Sequence, residues 1–280
     1  MTALAAVFRL TGAAEAGFAC VPAGPGSWQA RLIRRKSESL VLLRVTMTQM
    51  IPKRLPNVYI PTLYFAEGLP YTIVMLVSGV FLKNLGVDNV FIGYTSWLSL
   101  PWIIKFAWAP AVDTYATKRS WIVWMELALA AVICVFASFT SSGLEKSVGI
   151  VLLALIAIAS ATQDVAVDGF YLDALKKDQQ ALYVGVRNAV YKLAWLFGSG
   201  GLVVLAGYLQ ERHHWQAGFS WLPPFLIAAA IMLFIGIFHS WYLPHLPKAQ
   251  SETAAPAAAG DRFLDVFKSY FTQPGIAPVV

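Results

Sequence analysis

Ala159-Ser-Ala-Thr-Gln-Asp-Val-Ala-Val-Asp-Gly-Phe-Tyr171 is the stretch that decides the fold. It closes an apolar run that begins near Val148 and has the length and composition of a membrane-spanning helix. Asp164 and Asp168 are four residues apart, so both carboxylates lie on one helix face, one turn apart. A carboxylate at membrane depth costs on the order of a few kcal/mol unless it faces a protein interior or a water-filled cavity. Two on one face therefore predict a polar pathway inside the protein.

The composition places the whole chain in a membrane. Hydrophobic residues make up 58% of the 280 residues and charged residues only 13%, against about 25% charged in a typical soluble domain. The net charge of +6 does not indicate nucleic-acid binding, because membrane proteins collect Lys and Arg in their cytoplasmic loops. The two cysteines, Cys20 and Cys134, predict neither a disulfide framework nor a metal cluster.

The apolar segments predict an all-α membrane protein. Each spanning helix needs roughly 20 apolar residues, and the predicted spans are residues 57–82, 90–110, 121–140, 147–171, 181–209 and 221–243. Together they form a six-helix bundle over residues 51–243. Residues 1–50 lack an apolar period and indicate a disordered extension or a start codon assigned too early. Residues 244–261 predict a cytoplasmic linker, and residues 262–280 an amphipathic segment with the truncated start of a seventh helix.

Basic residues set the expected orientation of the bundle. The loops rich in them, alternating along the chain, contain Lys53 and Arg54, Lys118 and Arg119, Lys176 and Lys177, and Lys248 with Arg262. By the positive-inside rule these loops are cytoplasmic. We therefore expect both termini on the cytoplasmic side.

Charged side chains inside the spans predict ion pairs. Counted from the shared cytoplasmic end, Arg187 in the fifth span matches the depth of Asp168, and Lys192 matches that of Asp164. Adjacent antiparallel helices could pair them for transport, or only neutralise buried charge. Glu67 lies about ten residues into the first span, near the middle of the membrane, where a lone carboxylate predicts a group that faces a cavity.

A short loop between the second and third spans predicts a cytoplasmic latch. Lys105-Phe-Ala-Trp-Ala-Pro-Ala-Val-Asp113 is followed by Lys118-Arg119. Asp113 could accept hydrogen bonds from a neighbouring helix N-terminus, although an ordinary solvated turn would explain the same residues. Lys105 and Glu126 have similar depths, so they could pair across the second and third helices or both extend to the interface.

The remaining polar residues favour structural roles. Gly198-Ser-Gly-Gly201 lacks the strand and the Lys-Ser/Thr ending of a phosphate loop and indicates close helix packing or a hinge. His213-His214 favours a solvated loop over a metal site, and His239 either titrates or marks an interfacial position. No hydrolase, zinc-protease or Walker motif is present. The sequence therefore predicts no enzyme, no catalytic residue, no metal and no cofactor.

Four segments together resemble the AmpG-type muropeptide permeases of the major facilitator superfamily. They are Tyr64-Phe-Ala-Glu-Gly-Leu-Pro70, Lys105-Phe-Ala-Trp-Ala-Pro-Ala-Val-Asp113, Ser160-Ala-Thr-Gln-Asp-Val-Ala-Val-Asp168 and Tyr191-Lys-Leu. The resemblance runs from about Leu55 to Leu243. It implies the N-terminal six-helix bundle of a twelve-helix fold, truncated near the start of helix 7. It also implies proton-driven import of anhydro-muropeptides across the bacterial inner membrane for cell-wall recycling.

The chain departs from the family's pattern in its loop motif and in one basic residue. Pro110 stands near the start of the motif, where Gly is usual, and Thr114 follows Asp113 in place of Arg. Lys192 stands where family members often have Arg, so the planar fork for bidentate carboxylate binding is absent there.

The sequence thus predicts a proton-coupled symporter whose partners are a muropeptide-like solute, protons and the lipid bilayer. The predicted substrate and proton pathway contains Glu67, Gln163, Asp164, Asp168, Arg187, Tyr191 and Lys192; the predicted cytoplasmic latch contains Lys105, Asp113, Lys118 and Arg119. One half cannot rock against another by itself, so we expect either an inactive chain or a separately encoded C-terminal half. An acetyl-CoA-type or other small-solute transporter and a truncated, non-transporting membrane scaffold remain alternatives.

Overall fold

The computed structural model describes residues 54–140 and 146–246. The extension predicted at residues 1–50 and the amphipathic segment predicted at 262–280 lie outside the described residues, as does the predicted linker beyond residue 246. Within the described ranges the chain is helical and contains no strand. Its helices are α1 (Pro56–Asn84), α2 (Asn89–Tyr94), α3 (Leu100–Ile104), α4 (Ala109–Tyr115), α5 (Lys118–Thr140), α6 (Lys146–Ala174), α7 (Lys177–His213), α8 (Ala217–Ser220) and α9 (Leu222–Tyr242).

Five helical segments in the described part of the chain are long and apolar enough to cross a membrane. They are Pro56–Asn84, Lys118–Thr140, Ser147–Ala174, Lys177–His213 and Ala217–Tyr242. These segments coincide with the first, third, fourth, fifth and sixth predicted spans. The prediction of an all-α membrane protein is confirmed, with five continuous spans rather than six.

The second predicted span, residues 90–110, is not one continuous helix, and that part of the prediction is wrong. Short helices α2, α3 and α4 are separated there by 3₁₀ turns at Thr95–Ser99 and Lys105–Ala107. Pro101 and Pro110 occupy the first turns of α3 and α4. Proline lacks the backbone N–H and clashes with the preceding turn, so a helix restarts at it more readily than it continues through it. The hydropathy of the segment gave no sign of these breaks.

Helices α1 and α7 approach each other closely at glycine. A Cβ atom added at Gly198 would lie 2.7 Å from the Thr72 methyl group, and one added at Gly68 would lie 3.0 Å from the Ala194 Cβ. Glycine at these two positions therefore allows the two backbones to pack closely. Both helices also contain a π-helical stretch, Ile73–Val77 in α1 and Phe197–Leu202 in α7, and these two stretches are in contact.

Aromatic side chains close the bundle at the end where α1 finishes. The ring of Phe81 lies 5.5 Å from Phe136 of α5 and 5.6 Å from Phe225 of α9, all edge to face. Such pairs contribute about 0.5–1.5 kcal/mol each beyond the area they bury. The indole N–H of Trp221 donates to Asn84 at 2.9 Å, so this aromatic group also satisfies its polar atom. These aromatic contacts join α1, α5 and α9 at this end of the bundle.

Candidate functional site

Three carboxylates meet where α1 packs against α6. Glu67 comes from α1, and Asp164 and Asp168 come from successive turns of α6. One oxygen of each lies within 4.8 Å of the others. We call these three side chains the carboxylate cluster. The sequence placed the two aspartates on one face and Glu67 near mid-membrane, and the structure brings all three together.

Asp168 has the partner that the sequence predicted. The Arg187 guanidinium lies 3.5 Å from the Asp168 carboxylate, and the Tyr64 hydroxyl donates to the same carboxylate at 3.1 Å. Arg187 also lies over two aromatic rings, 4.7 Å from the centre of Tyr64 and 5.2 Å from that of Tyr171. A guanidinium held by two rings and one carboxylate keeps a fixed orientation.

Asp164 pairs with Lys105, not with Lys192, so the predicted Asp164–Lys192 pair is wrong. The Lys105 ammonium donates directly to the Asp164 carboxylate, and Lys105 lies in the 3₁₀ turn between α3 and α4. Lys192 is exposed instead, with its ammonium 5.6 Å from the ring centre of Trp195. Five residues turn a helix by about 140° from the direction of Arg187, so Lys192 cannot share that side chain's face. Depth matching alone missed this rotation.

Tyr191 lies on the site side of α7, as its four-residue spacing from Arg187 requires. Its ring centre is 6.1 Å from that of Tyr71, which in turn lies 5.0 Å from Trp102 of α3. This aromatic group joins α1, α3 and α7 beside the carboxylate cluster. Sequence analysis named Tyr191 but missed Tyr71 and Trp102, because aromatic residues are common throughout the spans.

Counted with all three carboxylates ionised, the carboxylate cluster has one negative charge more than its basic partners. Lys105 and Arg187 balance Asp164 and Asp168. One oxygen of Glu67 is buried and has no hydrogen-bond partner among the described residues. Oxygens this close together could ligate a cation, but two of the three carboxylates already pair with basic side chains, so we do not assign them as metal ligands. The site is one proton or one cationic group short of neutrality.

Gln163 points away from the carboxylate cluster and into a second polar group. Its amide donates to Glu126 of α5 at 3.3 Å. The Nδ1 atom of His239 in α9 lies 2.7 Å and 2.9 Å from the two Glu126 oxygens. Glu126 and His239 are both completely buried. The predicted Lys105–Glu126 pair and the predicted interfacial position of His239 are therefore wrong, although depth matching between α5 and α9 would have found the Glu126–His239 pair.

The predicted latch is only partly assembled. The Lys118 ammonium lies 2.8 Å from Asp173 of α6 and 3.5 Å from Asp113 of α4. Its chain crosses Gly169, where a Cβ atom would come within 2.8 Å of it. Lys105 pairs with Asp164 of the carboxylate cluster and does not contact the latch residues described here. Arg119 instead donates to the backbone carbonyls of Ser240 and Leu243 at the C-terminus of α9, where a cation is favourable.

In the described ranges, five helices long and apolar enough to cross a membrane surround paired interior charges, which is the arrangement of a multi-pass membrane protein. The sequence model of the Major Facilitator Superfamily matches residues 62–280, so the chain belongs to this superfamily. An anhydromuropeptide permease of Escherichia coli K12 is 28% identical over 176 residues, which are 60% of this chain and 34% of that protein. An uncharacterized protein of Haemophilus influenzae is 28% identical over 192 residues, 66% of this chain and 42% of that protein.

The resemblance to AmpG-type permeases is confirmed at this level of similarity. The chain spans less than half of the length of either relative, since the matched parts are 34% and 42% of them. The comparisons lend no support to a separately encoded C-terminal half.

Proposed function

We propose that the chain belongs to a proton-coupled importer of anhydro-muropeptides for cell-wall recycling, in the bacterial inner membrane with both termini cytoplasmic. The name of the Escherichia coli relative supports the substrate class, at 28% identity. The orientation follows from the basic loops. Substrate, coupling and orientation are proposals drawn from these observations and from the site chemistry.

The observation that carries proton coupling is the excess negative charge of the carboxylate cluster. Glu67, Asp164 and Asp168 face only Lys105 and Arg187. One proton removes the excess charge, which lowers the cost of moving the site past an apolar barrier. A proton that binds from one side of the membrane and leaves on the other would therefore shift the equilibrium between the two conformations that open the site to each side.

The surroundings of the carboxylate cluster suit a sugar–peptide solute. The Arg187 guanidinium is partly exposed, and its planar fork matches a peptide carboxylate. The aromatic faces of Tyr71, Tyr191 and Trp102 lie beside it and offer apolar surface against which sugar rings can pack. A solute that carries both groups would contact α1, α3 and α7 at once.

The contact of Lys118 with Asp113 and Asp173 is proposed to act as the latch. It ties the end of α4 to the end of α6. Because these three side chains are partly exposed, the contact is weak enough to open and close. We propose that it favours one of the two conformations of the transport cycle.

The test is uptake of labelled anhydro-muropeptide by an Escherichia coli K12 strain that lacks its own permease and expresses the protein that contains these 280 residues. We expect uptake that a protonophore abolishes and that Asp164→Asn removes without reducing the amount of chain in the membrane. Asp178→Asn, in the exposed first turn of α7, is the control and should retain uptake. Absence of uptake with the protein that contains these 280 residues present in the membrane would refute the proposal. Uptake that survives both the protonophore and Asp164→Asn would refute its proton coupling.

A further inference from the structure

A second polar group lies inside the bundle beside the carboxylate cluster. It consists of Glu126 (α5), His239 (α9), Gln163 (α6) and Thr62 (α1), and we call it the Glu–His network. Three of its members, Glu126, His239 and Gln163, have no exposed surface. The pathway proposed above uses none of them as a proton carrier. Ionisable groups at this depth in a membrane protein mark a function by default.

The hydrogen bonds of the network determine how many protons it holds. The Thr62 hydroxyl donates to the carbonyls of Val58 and Tyr59, both at 3.1 Å. Its single hydrogen thus has two backbone acceptors, and its oxygen lies 2.9 Å from Nε2 of His239. We assign Nε2–H as the donor of that contact. With that assignment, one further proton lies between Nδ1 and the Glu126 carboxylate. The pair is neutral as a whole, whichever of the two groups carries that proton.

The network also contains an acceptor for one more proton. The Gln163 amide N–H donates to Glu126, whereas the Gln163 carbonyl oxygen is buried and has no hydrogen-bond partner among the described residues. If Glu126 is protonated while His239 remains an imidazolium, the new O–H group needs an acceptor. Rotation of the Gln163 amide by half a turn supplies its carbonyl oxygen. The half-turn exchanges the two ends of the amide, so the oxygen gains a partner and the N–H group moves to the place where the oxygen now has none.

The charge of the added proton is balanced by the neighbouring group. The network would carry one positive charge after protonation, and the carboxylate cluster carries one excess negative charge. Gln163 and Asp164 are consecutive residues of α6, so the two groups meet across one helix. The charged or titratable groups of the network are Glu126 and His239; α1 and α6 present the neutral Thr62 and Gln163 to them.

We propose that the Glu–His network is a second proton-binding site, linked to the carboxylate cluster through Gln163. The proton binds to the Glu126 carboxylate, and no bond other than O–H is formed or broken. Gln163 is a positioning residue. Its amide rotates when Glu126 is protonated, and this rotation acts on the turn of α6 that holds Asp164. The proposal deepens the proton coupling proposed above and rests on it for its role in transport, but the binding of the proton does not.

The test counts the protons that the purified complete chain, in lipid nanodiscs, takes up on acidification from about pH 8 to pH 5, the range of imidazole chemistry. Wild type should take up one proton more than the double variant Glu126→Leu/His239→Leu, which removes the pair without leaving one charge buried. Gln163→Leu keeps the pair but removes the acceptor, and should lose the same proton. Ser160→Ala is the matched control, because Ser160 lies one turn away on α6, is equally buried and makes no hydrogen bond among the described residues.

Equal proton counts for wild type and the double variant would overturn the proposal, and so would loss of the proton in Ser160→Ala. The uptake assay separates this result from the proposed function. If wild type binds the extra proton but imports no solute, the proton site stands and the transport proposal fails. If uptake is proton-dependent but the counts are equal, the transport proposal stands and the second site fails.

Discussion

Two polar groups, the Glu–His network and the carboxylate cluster, meet at α6. They differ in how their buried charges are balanced. In the Glu–His network both titratable side chains are completely buried and contact each other, and the proton assigned between them makes the pair neutral. In the carboxylate cluster the side chains of Asp168 and Arg187 are 42% and 31% exposed, and one negative charge has no basic partner. A balanced pair can remain in a closed interior, whereas an unbalanced group needs access to water or to protons. The partly exposed group therefore suits exchange with a solute, whereas the closed group joins four helices and is the proton site proposed above.

The largest expected effect tests the closed side of this comparison. His239→Ala would leave the Glu126 carboxylate buried without its partner, and we expect a loss of about 3–5 kcal/mol in the free energy of unfolding. Denaturant unfolding in detergent micelles measures it. Asp168→Asn in the partly exposed cluster is the comparison variant, and its loss should be several times smaller. Equal losses for the two variants would remove the distinction between the groups.

The next effect tests the packing that holds Glu67 opposite Arg187. Gly198→Ala would place a Cβ atom 2.7 Å from the Thr72 methyl group, so α1 and α7 must separate. We expect a loss of about 1–3 kcal/mol, as for other overpacked cores, measured by the same unfolding assay. Gly200→Ala, whose Cβ would meet nothing within 4 Å, is the control and should not be destabilising. Similar losses in both would show that the close approach to Thr72 does not decide the effect.

A smaller effect is expected at the latch. Lys118→Ala removes contacts of 2.8 Å and 3.5 Å between partly exposed side chains, so the loss of stability should be below about 1 kcal/mol. High salt should reduce the difference between wild type and variant, since exposed charges are screened. A loss of unfolding free energy as large as that of His239→Ala would contradict the expectation, because it would show that the ion pairs of Lys118 contribute as much as a buried pair.

The smallest effect contrasts a second histidine with His239. His245 lies beyond the end of α9, where the positive charge of Arg119 lowers its pKa below the ordinary 6.5, with smaller contributions from burial and then from Arg54. Between the lowered pKa and 6.5 the unfolded chain binds more protons at this residue, so its contribution to stability rises with pH. Arg119→Gln should raise the pKa of His245, which nuclear magnetic resonance titration of the imidazole can follow. An unchanged pKa would show that Arg119 does not act on His245.

The sequence was sufficient wherever one helix or the whole composition carried the information. Composition and apolar segments predicted an all-α membrane protein, and the four-residue spacing predicted that Asp164 and Asp168 share a face. Depth counting paired Asp168 with Arg187 correctly. The family followed from a few local motifs, and the superfamily match over residues 62–280 confirms it.

Only the tertiary structure decided which residues oppose one another across helices. It gave Asp164 the partner Lys105, 59 residues away, and gave Glu126 the partner His239, 113 residues away. Hydropathy fixes how deep a residue lies, and helical periodicity fixes its direction relative to its neighbours on the same helix. Neither fixes how far each helix is rotated about its own axis against the next, nor where a proline will break a span. Those choices are made by packing between residues distant in the chain, so they appear only when the helices are assembled.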